Sequence, residues 1–311
     1  MSGARPEPLR RRARAALIRG LVGGAGFVPT SALGATLRPI ARAAFARRYA
    51  TVVQDNLARA LPGLQALDAQ MAARLRADPE AFARRVADFT VEQALHWIRL
   101  ARGAAPGEKS GGWIEDLVDI DDSIERLDEV LAAGRGAIIV TAHIGDWELL
   151  CARLRRRGHR GAVVGRVRRR DSSHRWLVEM RRAYGVDTIA QDASPREPLR
   201  VLRDGGILGL LTDLRVKRLA GRSVPFFGEP ALTMTAPAAF ARTHGAPLVP
   251  VRCVRPAGAN RYRLSVDPPL VLPDAPSRDA AEAELLAAQN RTFERWIAET
   301  PEQWAWHQRR W

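Results

Sequence analysis

The chain has 311 residues, enough for one large α/β domain or two smaller ones, and 46% of them are hydrophobic, as in an ordinary globular protein. Its two cysteines, Cys151 and Cys253, are too far apart for a metal-binding pattern and argue against a disulfide-stapled fold, so we expect core thiols in a reducing compartment. A formal net charge of +15 favours a polyanionic partner, which could be nucleic acid, an anionic membrane surface or an acidic carrier protein.

The N-terminal third is predicted to be helical. Residues 15–37 are apolar and glycine-rich but contain Arg19 and Pro29, so we expect an anchor that lies on a membrane or partly enters it, with a transmembrane helix as the alternative. The spacing of apolar residues then predicts helices over 41–60, 68–77 and 79–100, the first of them ending at Leu61-Pro62-Gly63. We place a linker over 101–112, which divides an N-terminal membrane-associating region, 1–105, from an α/β core, 106–311.

From Trp113 onward, short apolar runs alternate with helical patterns. This alternation predicts an α/β fold with a mostly parallel central sheet flanked by helices. The predicted strands cover residues 113–119, 138–140, 162–164, 186–189, 207–211, 247–254 and 261–266. The predicted helices cover residues 123–133, 147–157, 172–184, 195–203, 236–243 and 280–299, with a long loop over 214–231.

The most informative motif lies in segment 137–150, where an apolar strand leads into His143 and Glu148 follows at the start of a helix. On one continuous helix this pair would point about 140° apart, but a loop through residues 144–146 lets the Glu148 carboxylate turn back onto the imidazole. A carboxylate on one ring nitrogen raises the basicity of the other, so His143 would be a general base for a hydroxyl. The alternative is a surface histidine followed by a glutamate that stabilises the helix start.

Two more charged residues stand at predicted strand ends, where open α/β sheets bind their ligands. Arg166 could bind a phosphate or carboxylate beside His143, or it could belong to a solvated basic loop with the arginines at 168–170. Asp213 could be a site residue, or it could cap the following turn.

The loop that follows is unusually apolar. Phe226 and Phe227 precede Gly228, and such a pair could line a groove for an acyl chain or fold back onto the core. Thr233 or Thr235 can cap the next helix, which would leave its N-terminus available to a phosphate.

Together these segments resemble the bacterial lipid A late acyltransferases, the lauroyl and myristoyl transferases within the lysophospholipid acyltransferase superfamily. A His-x4-Glu pair alone is a weak signal, but the Phe-Phe-Gly loop and the Trp-rich C-terminus make it specific. The matching segments run in order over most of the chain: 56–62, 142–148, Arg166, 181–185, 212–213, 224–228 and 301–311.

The resemblance implies an O-acyltransferase that moves a fatty acyl chain from a thioester on acyl carrier protein to a hydroxyl of a lipid A precursor, with no metal or organic cofactor. His143 matches the general base and Glu148 its partner, while Arg166 and Asp213 match positions tied to catalysis or substrate binding. The positions expected to bind substrate are Asp146, Trp147, Phe226, Phe227, Gly228, Thr233 and Thr235. The family works on the cytoplasmic face of the inner membrane, where the chain would be peripheral or N-terminally anchored.

One departure bears on the substrate. Where the family often carries an Asp-Gln-Asp-like triplet, this chain has Asp213-Leu-Arg215, and the reversed charge motivates another acceptor, such as a phosphatidylinositol mannoside or a lysophospholipid. Acyl-CoA is the alternative donor. A nucleic-acid binder would also explain the positive charge, but no helix-turn-helix, zinc-finger or RNA-binding signature is present, so we expect no nucleic-acid partner.

Overall fold

The computed structural model describes residue 20 and residues 30–101, 112–167, 171–215 and 220–311. Most of the predicted anchor over 15–37 and nearly all of the predicted linker over 101–112 lie outside these residues. None of the helices in the described part of the chain is both long enough and apolar enough to cross a bilayer.

Three helices lie within residues 30–101: α1 (Thr30–Leu67), α2 (Ala69–Ala77) and α3 (Pro79–Leu100). Asp68 caps α2 by accepting a hydrogen bond of 2.8 Å from the backbone N–H of Met71, and Asp78 caps α3 in the same way. The sequence signals for these two helix starts are therefore local.

The end of α1 differs from the prediction. The helix continues through Pro62 to Leu67, so the stop predicted at Leu61-Pro62-Gly63 is wrong. Gly63 lies so close to the hairpin described below that an added Cβ would approach the Cα of Phe227 to 2.6 Å. This packing against the core overrides the local preference of the Pro-Gly pair to end the helix.

Nine strands follow in the described part of the chain, and seven of them form one central sheet. Their bounds are β1 (Val118–Ile120), β2 (Ala137–Thr141), β3 (Gly161–Gly165), β4 (Asp187–Ala190), β5 (Ile207–Leu211), β6 (Gly221–Phe226), β7 (Glu229–Met234), β8 (Leu248–Val254) and β9 (Tyr262–Val266). The sheet has the order β1-β9-β8-β2-β5-β3-β4, and all neighbours are parallel except β8 and β9. The predicted α/β class with a mostly parallel sheet is confirmed.

Among the described residues, seven further α-helices accompany the sheet: α4 (Trp113–Leu117), α5 (Glu125–Ala132), α6 (Trp147–Arg156), α7 (Ser172–Ala183), α8 (Arg196–Arg203), α9 (Ala236–His244) and α10 (Arg278–Glu299). Two details differ from the prediction. The segment predicted as a strand over 113–119 begins with α4, and only its end joins the sheet as β1. The long loop predicted over 214–231 contains the antiparallel hairpin β6–β7, whose alternation places Val224 and Phe226 inward.

The two faces of the sheet bury different sets of side chains. Along β2, Ile138 and Val140 join a core that also includes α1, α3, α10 and the hairpin. Ala137 and Ile139 point the other way, into a core shared with α6 and α7. The N-terminal helices thus share one core with the sheet, and the division of the chain at residue 105 stays a prediction.

Candidate active site

His143 lies in a tightly held loop just beyond the carboxyl end of β2. Gly145 has a φ of +59°, and a Cβ at this position would lie 1.9 Å from the backbone oxygen of Cys253, so only glycine fits. The N–H of Gly145 donates to the oxygen of Gln303 at 3.0 Å, and the N–H of Ala305 donates to the oxygen of His143 at 2.9 Å. The loop is therefore clamped between β8 and the C-terminal segment.

The imidazole of His143 is paired with Asp213, which follows β5. The distance from Nδ1 of His143 to Oδ1 of Asp213 is 2.7 Å, and the backbone N–H of His143 donates to Oδ2 of the same carboxylate at 2.9 Å. The His143 side chain is 25% exposed, whereas Asp213 is fully buried. Since β2 and β5 are adjacent and parallel, their ends bring the two residues together at one edge of the sheet.

The environment of Asp213 keeps its carboxylate charged. Burial by itself would raise the pKa of Asp213, but the charge of His143 and the hydrogen bonds from His143 and Trp304 hold that pKa below its usual range. The indole N–H of Trp304 donates to Oδ2 at 2.7 Å from a side chain that is almost fully buried. An ionised carboxylate only accepts hydrogen bonds, so Nδ1 of His143 carries the proton and Nε2 is left as the basic nitrogen.

Glu148 is not the partner of His143, and this part of the prediction is wrong. Its buried carboxylate accepts two hydrogen bonds from Nε of Arg181, at 2.9 and 3.1 Å, and further bonds from Nη2 of Arg181 and the hydroxyl of Tyr184. Because α6 begins at Trp147, Glu148 lies in its first turn and points toward α7. Burial would lower the pKa of Arg181, but the charge of Glu148 raises it.

The two residues between the loop and Glu148 have separate roles. Asp146 is fully buried and caps α6, accepting hydrogen bonds from the N–H of Leu149 and from the indole of Trp97, while His96 bonds its second oxygen. Trp147 is half-buried, and its ring meets the His143 imidazole edge-on at a centroid distance of 4.9 Å. Asp146 thus supports the loop, and Trp147 is the member of the motif that borders the imidazole.

A cavity of about 510 Å³, here called the α6 cavity, extends from Trp147 between α6 and the sheet. Residues two apart on a strand share a face, and residues three or four apart share a helix face, so both walls follow from periodicity. The walls are mainly apolar: Ile139 and Thr141 of β2, Val163 of β3, Gly209 and Leu211 of β5, and Trp147, Leu150, Cys151 and Leu154 of α6. Its far end is bordered by Arg155, His159 and Arg160.

The remaining predicted site residues are more scattered. Arg166 is exposed just past the end of β3, with β5 between it and β2. Phe226 and Phe227 are almost fully buried, as in the alternative that folds the loop onto the core, and Gly228 lies at the exposed hairpin turn. Thr233 is buried and accepts a hydrogen bond of 2.7 Å from Arg310, while Thr235 donates to the backbone oxygen of Ala220.

The comparison with known proteins agrees with this geometry. The sequence profile of the family described as bacterial lipid A biosynthesis acyltransferase matches residues 10–311. The chain belongs to this family. The phosphatidylinositol mannoside acyltransferase of Mycobacterium tuberculosis (strain ATCC 25618 / H37Rv) is 29% identical over 134 residues, which are 42% of each chain.

A second phosphatidylinositol mannoside acyltransferase, from Mycolicibacterium smegmatis (strain ATCC 700084 / mc(2)155), is 30% identical over 164 residues, which are 51% of this chain and 52% of the relative. The matched region thus spans about half the length of these curated relatives. The resemblance to the lipid A acyltransferase family is confirmed, whereas the roles assigned above to single residues stay predictions.

Several side chains of this family member matter to the site but were not singled out from the sequence. Arg181 and Tyr184 lie in a matching segment, yet nothing in their spacing pointed to Glu148. Trp304 lies in the matching C-terminal segment, and its side chain is buried against Asp213. Among the described residues, no group of three or more His, Cys, Asp or Glu side chains is arranged to hold a metal ion.

Proposed function

We propose that the chain is a membrane-associated O-acyltransferase that moves a fatty acyl chain from a thioester to a hydroxyl of a glycolipid. The observation that carries this proposal is the His143–Asp213 pair, which leaves Nε2 of His143 basic, with the imidazole in contact with Trp147 at the border of an apolar cavity. Membership of an acyltransferase family supports the reaction class.

The proposed reaction uses His143 first as a base and then as an acid. Nε2 takes the proton of the acceptor hydroxyl while that oxygen attacks the thioester carbonyl carbon. When the tetrahedral intermediate collapses, the C–S bond breaks and the imidazolium returns its proton to the leaving thiolate, which gives an ester and a free thiol. Arg166 or backbone N–H groups at the strand ends would stabilise the oxyanion.

The α6 cavity is the proposed place for the donor's acyl chain. Its mainly apolar walls suit a hydrocarbon. The contact between Trp147 and the imidazole of His143 would set the thioester carbonyl at the mouth of the cavity. In this arrangement Cys151 is part of the wall, and burial raises the pKa of its thiol to about 12, so it would stay protonated.

Two acceptor classes follow from the comparisons. The family description favours a lipid A precursor, and the names of the two mycobacterial relatives favour a phosphatidylinositol mannoside. Arg215, which reverses the charge expected in the family, supports the second class. Acyl carrier protein and acyl-CoA are both donors that fit a strongly basic chain.

We place the enzyme on the cytoplasmic face of the inner membrane, as a peripheral or N-terminally anchored protein. The support is the net charge of +15 together with α1, where Ile40 is 68% exposed between the arginines at 38 and 42. A basic helix that exposes apolar side chains suits an anionic lipid surface.

The test is acyl transfer from labelled lauroyl carrier protein and from lauroyl-CoA, each offered to a lipid A precursor and to a phosphatidylinositol mannoside. We expect transfer to one acceptor class by the wild type and a loss of roughly 10²–10⁴-fold in the His143→Ala variant. Transfer that persists in a folded His143→Ala variant would contradict the mechanism. No transfer with any donor and acceptor pair would contradict the proposed function.

A further inference from the structure

A second cavity, of about 740 Å³, is here called the tail cavity. It is bordered by α1 and by the C-terminal tail, residues 304–311. Its polar lining consists of Asp55, Asn56, Arg59 and Arg309, with Trp311 beside them. Arg59 and Arg309 come from opposite ends of the chain, so only the folded structure brings them to one cavity.

The tail cavity has a rigid base. Asn56 is 4% exposed, and its side-chain amide donates hydrogen bonds to the backbone oxygens of Trp306 and Gln308, at 2.7 and 2.6 Å. These bonds fix the tail on α1. Arg59 is three residues after Asn56 and therefore lies on nearly the same face of α1, next to the tail.

A third arginine joins the group from the catalytic side. The backbone N–H of Arg215 donates to the backbone oxygen of Arg309 at 3.3 Å, and Arg215 is two residues after Asp213. The hydrogen bond thus links the tail directly to the loop that follows the catalytic carboxylate.

The charges of this group are not neutralised within the described part of the chain. Many other arginines are in ion pairs there, for instance Arg42 with Asp88 and Arg255 with Glu92. Within the same described ranges, Arg59, Arg215 and Arg309 are exposed and have no ion-pair partner, and Asp55 is the one carboxylate in the lining. The lining thus has two guanidinium groups against one acidic side chain, which leaves an excess of positive charge.

We propose that Arg59 and Arg309, with Arg215 beside them, bind a phosphate group of the acceptor lipid. Guanidinium groups bind phosphate oxygens through paired, charge-assisted hydrogen bonds. This inference rests on the proposed function, and both acceptor classes named above carry phosphate. A donor phosphate, on phosphopantetheine or CoA, is the other source of the same chemistry.

The position of the cavity favours the acceptor. The α6 cavity is linked to His143 through Trp147, a lining residue whose ring contacts the imidazole. The tail approaches His143 separately, since the N–H of Ala305 donates to the His143 backbone oxygen. If the acyl chain occupies the α6 cavity, the tail cavity is left for the molecule that supplies the hydroxyl.

The experiment compares the double variant Arg59→Gln/Arg309→Gln with Arg200→Gln, which removes an exposed arginine from α8, far from the tail. Steady-state kinetics are measured with the acceptor and the donor varied in turn. We expect the KM for the acceptor to rise roughly tenfold or more in the double variant, with the KM for the donor and the kcat unchanged, and no effect in Arg200→Gln. Because the substituted side chains are exposed, all variants should retain the wild-type melting temperature.

A rise in the donor KM alone would assign the phosphate to the donor and overturn the proposal, as would equal kinetics in the double variant and in Arg200→Gln. Direct binding of glycerophosphoinositol, a soluble phosphodiester headgroup, separates this proposal from the proposed function. Binding that is lost in the double variant and kept in Arg200→Gln would support the phosphate site even where no acyl transfer is detected. Binding unchanged in the double variant would overturn it.

Discussion

Two buried carboxylates near the loop after β2 have different hydrogen-bond partners. Asp213 accepts hydrogen bonds from the imidazole and backbone of His143 and from Trp304, so it orients a ring that is 25% exposed. Glu148 accepts hydrogen bonds from Arg181 and Tyr184. Because both of these residues are themselves buried, the charge of Glu148 is compensated entirely within the core. In the proposed mechanism the first carboxylate supports catalysis, whereas the second joins α6 to α7.

The difference shows that distance along the chain is a poor guide to which side chains form a hydrogen bond. Glu148 is five residues from His143, whereas Asp213 is 70 residues away and in contact. Adjacent parallel strands bring their carboxyl ends together whatever the length of chain between them. The comparison predicts that substitutions of Asp213 lower the rate, while substitutions of Glu148 lower the stability.

The largest expected effect is on the rate of acyl transfer by Asp213→Asn. The amide cannot stabilise the imidazolium and no longer fixes the proton on Nδ1, so we expect kcat to fall roughly 10²–10⁴-fold. Single-turnover transfer measures the change, with a melting curve to show that the variant is folded. A fall in kcat of less than about threefold would contradict the assignment of Asp213 as the partner of His143.

The next effect is on the stability of Glu148→Gln. This substitution leaves the charge of Arg181 buried without a counter-charge, which should cost about 3–5 kcal/mol of the free energy of unfolding. Urea unfolding measures it. The double variant Glu148→Gln/Arg181→Met removes both charges and should recover much of the loss. If the folded fraction of Glu148→Gln also lost most of its kcat, Glu148 would have a catalytic role as well.

A smaller effect concerns His307, whose ring packs against Phe45 and Tyr49 at centroid distances of 5.4 Å. Burial, assisted by the charge of His143, lowers the pKa of His307 to about 4. In the unfolded chain this imidazole becomes protonated near pH 6.5, whereas in the folded chain it becomes protonated only near pH 4. The free energy of unfolding therefore falls by up to about 3 kcal/mol as the pH drops through this window. His307→Phe should remove that part of the pH dependence in urea unfolding at pH 7.5, 6 and 5, and parallel curves for both proteins would contradict this.

The smallest effect separates support from substrate binding at Asp146. Loss of the helix cap in Asp146→Ala should cost about 1–2 kcal/mol, while Asp146→Asn keeps a capping oxygen and should cost less. We expect the KM values of the folded variants to match the wild type, because the carboxylate is fully buried. A raised KM in the stable Asp146→Asn variant would restore the predicted role in substrate binding.

The sequence predicted the fold well because periodicity and helix caps are local. The caps Asp68 and Asp78, and the apolar runs of β2 and β5, need no information from distant residues. The hairpin β6–β7 was missed because its alternation is weak and Pro225 lies within it. The end of α1 was misplaced because the contact between Gly63 and Phe227 joins distant parts of the chain.

Both residues of the His143–Asp213 pair were predicted as site residues from the sequence, but the contact between them was not. His143 and Asp213 were both nominated from strand ends, since that position carries a physical reason. The partner was misassigned to Glu148 because the first residue of α6, which decides where Glu148 points, could not be fixed from the sequence. The tail cavity depends on Arg59, Arg215 and Arg309 meeting in space, and no local pattern encodes such a meeting.

The central claim is that Asp213, and not Glu148, holds the proton on Nδ1 of His143. Nitrogen-15 NMR of histidine-labelled protein, with His143→Ala to assign the resonance, tests this without any substrate. We predict a hydrogen-bonded Nδ1–H on His143 in the wild type and in Glu148→Gln, and its loss in Asp213→Asn. A signal that survives in Asp213→Asn and disappears in Glu148→Gln would contradict the account.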